Sequence, residues 1–361
     1  MPATHVHERT PRGRRARGRR RPGARALASL GSVVFLLAAC SHSTASDGPH
    51  FPAVPSPPTL LPVSPSPLRA GVLASIPVDL GTAPAAAGAA FGSIWIPEHR
   101  GNTLYRVDPK TNAVVAKIDL GAGVCFPPQF GFGRVFLTAC EGGSGNLVVD
   151  PSVNRVVAKS QCGGWMAFGG GSIWDGESHR VRVCDPKTLR TTALIKLPGG
   201  FSGMAYGFGS VWAVNEDQGT VLRIDPATHR VTATIVAGNG CYSCDVDSNI
   251  LVAYGAAWVE SDQSSTIYRI EPATNAVRVF HVRAKPLPDF NARWLVPGLG
   301  SLWLTTSAGH VSRFDPANMR VVGTYPADPT GGGSDYISVG YGSLWVPNPE
   351  SDDVWRDRVR S

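Results

Sequence analysis

The sequence predicts an all-β fold, a seven-bladed β-propeller whose N-terminal strand closes the last blade. Three observations carry that prediction. A large aromatic residue recurs at Trp95, Phe136, Trp174, Trp212, Trp258, Trp303 and Trp345, at intervals of 41, 38, 38, 46, 45 and 42 residues. An acidic-Pro dipeptide follows it at Asp108, Asp150, Asp185, Asp225, Glu271 and Asp315. A lone strand-like segment, Leu73 to Gly81, precedes the first copy, whereas the last copy stops before its final strand. Periods of this length, built from several short strands, match propeller blades of four antiparallel strands rather than helical repeats of similar length.

Each copy divides into strands A to D. An Ala/Val-rich stretch before Phe/Tyr-Gly is strand A, Ser-Ile-Trp-Ile is B, Thr-Leu-Tyr-Arg-Val is C and Val-Val-Ala-Lys-Ile is D, as written in the first copy. Apolar and polar residues alternate through C and D, the pattern of half-buried strands. Asp-Pro-x-Thr-Asn between C and D reads as a turn, because Pro fixes φ and Asp and Asn side chains bond nearby backbone N–H groups. The recurring aromatic ring is expected to fill the space between adjacent blades. Pairing the first strand with the last copy joins the chain ends and removes open sheet edges.

The segment before the repeats has another character. The whole chain carries a formal charge of +7, yet residues 1 to 39 hold nine arginines against Glu8 alone, so the remainder is close to neutral. A nucleic-acid partner, which needs a concentrated basic face, is therefore not expected. The arginines precede an apolar run from Ala26 to Ala39 and then Leu37-Ala38-Ala39-Cys40. The run is too short to span a bilayer and reads as a signal peptide. Leu37 to Cys40 match the lipobox of bacterial lipoprotein precursors, which implies diacylglycerol and palmitate on Cys40. Residues 40 to 70 are rich in Pro and Ser and read as an extended tether, leaving 71 to 361 for the propeller. A monomer held on the extracytoplasmic face of the cell membrane is expected.

Phe/Tyr-Gly-Ser-x-Trp followed by Arg-Ile-Asp-Pro-x-Thr resembles the YVTN-type and virginiamycin B lyase-like propeller repeats of exported bacterial proteins, over roughly residues 71 to 361. The resemblance implies the propeller. In the lyase it implies elimination chemistry with a Mg ion held by His and Glu, and Glu177-x-His179 looks like that pair. Cys162-Gly163-Gly164-Trp165 carries no histidine where the lyase would place one. A non-enzymatic binding or scaffold domain that docks an envelope protein or small ligand is thus the leading expectation, with a metal-dependent lyase as the alternative.

The D-to-A and B-to-C connections should share one face, opposite the Asp-Pro turns. That face would collect Glu98, His99 and Arg100, Glu177 and His179, Asn215, Glu216 and Asp217, and Glu260 and Asp262. Central loops add Asp289, Asn291, Arg293 and Asp335. Such a set could hold a Mg or Ca ion or a polar ligand. Six cysteines remain besides Cys40, and an exported chain favours disulfides. Cys125 and Cys140 fall near one face of one blade, with Cys140 to Cys162 as an alternative. Cys241-Tyr-Ser-Cys244 could close a short loop. The register sets Cys162 and Cys184 toward opposite faces, so a bond between them is not expected.

Overall fold

The computed structural model describes residues 71–79, 83–84, 86–99, 101–124, 126–140, 146–237, 249–261, 266–281, 292–306, 310–326 and 336–359. Its strands are β1 (Val72–Pro77); β2–β5 in blade 1 (Gly88–Ala90, Ser93–Pro97, Thr103–Asp108, Ala113–Asp119); and β6–β9 in blade 2 (Gln129–Gly131, Arg134–Thr138, Asn146–Asp150, Arg155–Ser160). Blade 3 holds β10–β13 (Met166–Gly169, Ser172–Glu177, Arg180–Cys184, Thr191–Lys196), and blade 4 holds β14–β17 (Phe201–Gly207, Ser210–Asn215, Thr220–Ile224, Val231–Val236). Blade 5 holds β18–β21 (Ile250–Ala253, Ala256–Ser261, Thr266–Ile270, Val277–His281), and blade 6 holds β22–β25 (Ala292–Gly298, Ser301–Thr306, His310–Phe314, Val321–Pro326). Blade 7 holds β26–β28 (Ser338–Gly340, Ser343–Asn348, Asp353–Arg358), and β1 completes it by pairing antiparallel with β28, from Val72↔Asp357 to Pro77↔Asp353. Every sheet then has four strands, and the expected seven-bladed, N-terminally closed propeller is what forms. All these strands lie in one compact unit, Ser64–Ser361.

The recurring rings are the inter-blade core. Trp95, Phe136, Trp174, Trp212, Trp258, Trp303 and Trp345 are fully buried, and each joins a cluster with the next blade. Trp212 of blade 4, for example, packs with Ile250, Val259 and Ile270 of blade 5. Each indole N–H donates to the carbonyl five residues upstream, as Trp95 does to Ala90 at 3.0 Å and Trp174 to Gly169 at 2.9 Å. None of these indole donors is stranded, and truncating one such ring to Ala would cost about 3–5 kcal/mol.

A second inter-blade device lies opposite the rings. Arg106, Arg223, Arg269, Arg313 and Arg356 pair across strands with the Trp of their own blade and lie over it, at 5.0 to 5.7 Å from the ring centroid. Arg106, Arg223 and Arg356 reach into the acidic-Pro turn of the next blade. Arg106 donates to the Pro151 carbonyl at 2.6 Å and to Asn154 Oδ1 at 2.7 Å. Arg223 does the same to Pro272 and Asn275, and Arg356 to Pro109 and Asn112. Those asparagines stand in the left-handed region, at φ 52° to 59°, which Asn tolerates better than most residues. Within each turn, backbone N–H donors hold the Asp185 and Asp225 carboxyls below the usual range, as the local reading of the motif required.

The interface between blades 3 and 4 lacks both partners, with Val183 and His229 in their places, and that between blades 2 and 3 departs furthest from this scheme. Its ring is Phe136, Val148 stands in the arginine position and Leu189 in the asparagine position. Here Cys162 and Cys184 form a disulfide, with Cα atoms 6.1 Å apart. This corrects the expectation that the two face apart. Strand ends do not map simply onto faces, because the crossover from β9 runs diagonally over the next blade: Gln161 N–H already donates to the Leu189 carbonyl in blade 3's C–D turn, at 3.0 Å. Both cysteines are fully buried between the blades and belong to neither face. Cys140 is also disulfide-bonded; Cys125, Cys241 and Cys244 lie outside the described residues.

Candidate functional site

The inner strands line a central channel, and a cavity of about 320 Å³ opens among them. The wall is close-packed because small residues in one blade accept side chains of the next. A Cβ on Gly131 would meet Phe168, and one on Gly169 would meet Tyr206, at about 2 Å. The inner strands are unequal: β14 and β22 have seven residues each, against three or four in the other blades. Both break register, between Phe201 and Met204 and between Ala292 and Trp294. Such bulges re-aim side chains and gather beside functional sites. Here they set Ser202, Gly203 and Trp294 into the cavity wall.

Four rings from four blades meet on the face of the D-to-A crossovers. Phe126 meets Trp165 edge-on at 4.8 Å between centroids. Trp165 meets Trp294 at 5.1 Å, and Trp294 meets Tyr336 edge-on at 5.0 Å. Trp165 precedes blade 3 and Trp294 lies in blade 6, on opposite sides of the ring of blades, so their contact spans the channel. All four rings are half-buried, and Trp165 and Trp294 line the cavity. None was singled out from the sequence. The available signal was register: Trp165 and Trp294 stand outside the seven-copy aromatic position.

The predicted polar residues mostly serve as supports for the crossovers. Glu98 is buried and accepts from the Tyr105 hydroxyl at 2.5 Å and from Thr103 N–H at 2.9 Å within its own hairpin. Asn215 is buried and donates to the Pro198 carbonyl, while Asp217 accepts from Gly200 N–H at 2.7 Å, so the two fix the segment that leads into Ser202. Glu216 N–H donates to the Gly200 carbonyl. Buried Glu260 donates its N–H to the Asn249 carbonyl, and the Asn249 amide donates to the Leu295 carbonyl beside the cavity. His99 is exposed. Cys40, Arg100, Asp262, Asp289, Asn291 and Asp335 lie outside the described residues, and Arg293 is described by its backbone in β22 alone.

Blade 3 carries the same logic furthest. Asp175, where most blades have an apolar residue after the ring, accepts from Gly163 N–H at 3.0 Å. It thereby holds the crossover that delivers Trp165. Burial pushes its carboxyl up to about 7, against the pull of the Gly163 bond. Glu177 ends β11 and accepts from Arg182 at 2.6 Å and from Arg180. Burial raises its carboxyl, but the bonds from Arg182 and Arg180 outweigh this and hold it below the usual range. His179 is exposed at the B–C turn with φ 60°, anchored by its backbone to Gly199 and Leu197. Glu177 thus spends its oxygens on arginines. Among the described residues no three His, Cys, Asp or Glu side chains gather as a metal-holding group.

No family model and no curated protein sequence matches this chain. The propeller assignment rests on the sheets themselves.

Proposed function

We propose that this protein is an extracytoplasmic, lipid-anchored propeller that binds a small ligand at the mouth of its central channel, without catalysing a reaction. The observation that carries the binding reading is the cross-channel contact of Trp165 with Trp294 over a cavity lined by re-aimed inner strands. Concave, mostly apolar sites with a few polar groups are where small ligands bind. Departures from a repeat also mark function better than the repeat itself, because the same blade sequence supports many activities. The anchor rests on the lipobox at Leu37 to Cys40 behind its apolar run.

Two measurements test the halves separately. Replacing Cys40→Ser in the expressed precursor is expected to move the protein from the membrane fraction to the soluble one; unchanged membrane association would refute the lipid anchor. For the site, a small-molecule thermal-shift screen of the mature chain is expected to yield ligands whose stabilisation disappears in Trp165→Ala and Trp294→Ala. Ligands indifferent to both substitutions would move the site elsewhere on the propeller.

A further inference from the structure

We infer that the ligand is an uncharged, largely apolar molecule with a planar ring and a single hydrogen-bonding group that meets Ser202, an inference that rests on the channel-mouth site proposed above. The cavity, at about 320 Å³, lies at the small end of ligand sites, which run from about 300 to 1,000 Å³. It therefore suits a molecule of two or three rings. None of its described lining residues carries a charge. Against these residues a charged group would lose its water without gaining a counter-charge from them.

The lining offers little polar recognition from side chains, chiefly Gln129, Ser202, Asn249 and Ser338, and the two amides are already committed. Gln129 accepts from Met166 N–H at one end of its amide and donates to the Gly164 carbonyl with the other. The Asn249 amide is bonded to Leu295. Ser202 is different: it is 7% exposed, lines the cavity, and its buried Oγ has no hydrogen-bond partner. A buried hydroxyl without a partner carries a desolvation cost that a bound acceptor or donor would remove. The β14 bulge places it there, since Phe201 and Met204 flank the register break. The indoles of Trp165 and Trp294 supply the apolar faces.

A pair of probes separates the ligand class from the site. N-Phenyl-1-naphthylamine is neutral and carries one N–H; 8-anilino-1-naphthalenesulfonate adds a negative charge to the same skeleton. With the mature chain carrying Cys40→Ser, so that no lipid competes, fluorescence titration is expected to show one site that binds the neutral probe at least tenfold tighter. Trp294→Ala should weaken that binding at least tenfold, while Trp294→Phe, which keeps a ring and controls for folding, stays within about threefold. Ser202→Ala should weaken it by about threefold to tenfold. If the sulfonate binds as tightly and is also lost with Trp294→Ala, the ligand class is overturned and the site stands. If neither probe binds, or binding ignores Trp294, both readings fall.

Discussion

The arginine latch allows a quantitative test of what holds adjacent blades together. Arg106 of blade 1 donates to Asn154 Oδ1 of blade 2 at 2.7 Å, 48 residues along the chain, and the pair is partly buried. Breaking a hydrogen bond to a charged group costs about 1.5–3 kcal/mol. Asn154→Gly is the right perturbation, because the position lies at φ 52°, where Ala would add strain and Gly does not. Arg106→Met keeps an unbranched stem over Trp95 while removing the bonds to Ser93, Pro151 and Asn154. Each single variant is expected to lose about 2–3 kcal/mol, seen as a fall in melting temperature of roughly 2–4 °C per kcal/mol. The double variant should lose about 1–2 kcal/mol less than the sum. Chemical denaturation with disulfides intact, followed by tryptophan emission, measures the cycle. Additivity within about 0.3 kcal/mol would refute the latch as an energetic link.

Three further outcomes follow from the blade 2 to blade 3 interface and its neighbours. Replacing Cys162 and Cys184 by Ala opens a loop with sequence separation 22 and is expected to cost about 3 kcal/mol in a denaturant titration; an unchanged midpoint would show the bond to be dispensable. Asp175 holds its proton more tightly folded, at about 7, than at its ordinary 3.8, so stability should fall as pH rises from about 4 to 7, by on the order of 4 kcal/mol. Burial of Asp357, raised to about 6, acts in the same direction, and Asp175→Asn should flatten the Asp175 part; an identical pH slope in the variant would refute it. Calorimetric titration with Mg²⁺ or Ca²⁺ should give no heat that depends on Glu177, since Arg180 and Arg182 already occupy its carboxylate. Saturable binding abolished by Glu177→Ala would restore the metal-dependent lyase reading.

The fold was legible because its determinants are local and repeated. Trp95 and its six counterparts set the period, Phe91-Gly92 and its equivalents mark the A–B turn, and Asp108-Pro109 and its equivalents mark the C–D turn. Even the bulky Phe91, Phe132 and Tyr341 adopt positive φ before their glycines, at 49° to 53°, the two-residue hairpin that strand twist favours. What stayed hidden was non-local. The sequence places Asn112 in the turn, and its N–H does donate to the Asp108 carbonyl there. Its side chain, however, belongs to Arg356, 244 residues away. A comparison of copies held the clue, because arginine and asparagine are lost together: Val183 and His229 stand in their places between blades 3 and 4, and Val148 and Leu189 between blades 2 and 3. At the latter interface the ring is replaced as well.

That interface also explains why the site was harder to read than the fold. A perfectly repeated propeller presents seven equivalent blade ends and cannot single out one ligand, so specificity has to come from positions where the copies disagree. Such positions are invisible to a search for what recurs. Between blades 2 and 3 the ring, the arginine and the asparagine are all replaced, and Cys162–Cys184 and Asp175–Gly163 take over the task of fixing the crossover. Those two ties flank the chain just ahead of Trp165, whose indole then spans the channel to Trp294 on a bulge found in neither neighbouring blade. The disulfide is therefore expected to stabilise the proposed ligand site as well as the fold: in Cys162→Ala/Cys184→Ala, probe affinity should fall along with the melting temperature. An affinity unchanged in a folded variant would show that Asp175 alone suffices to place Trp165.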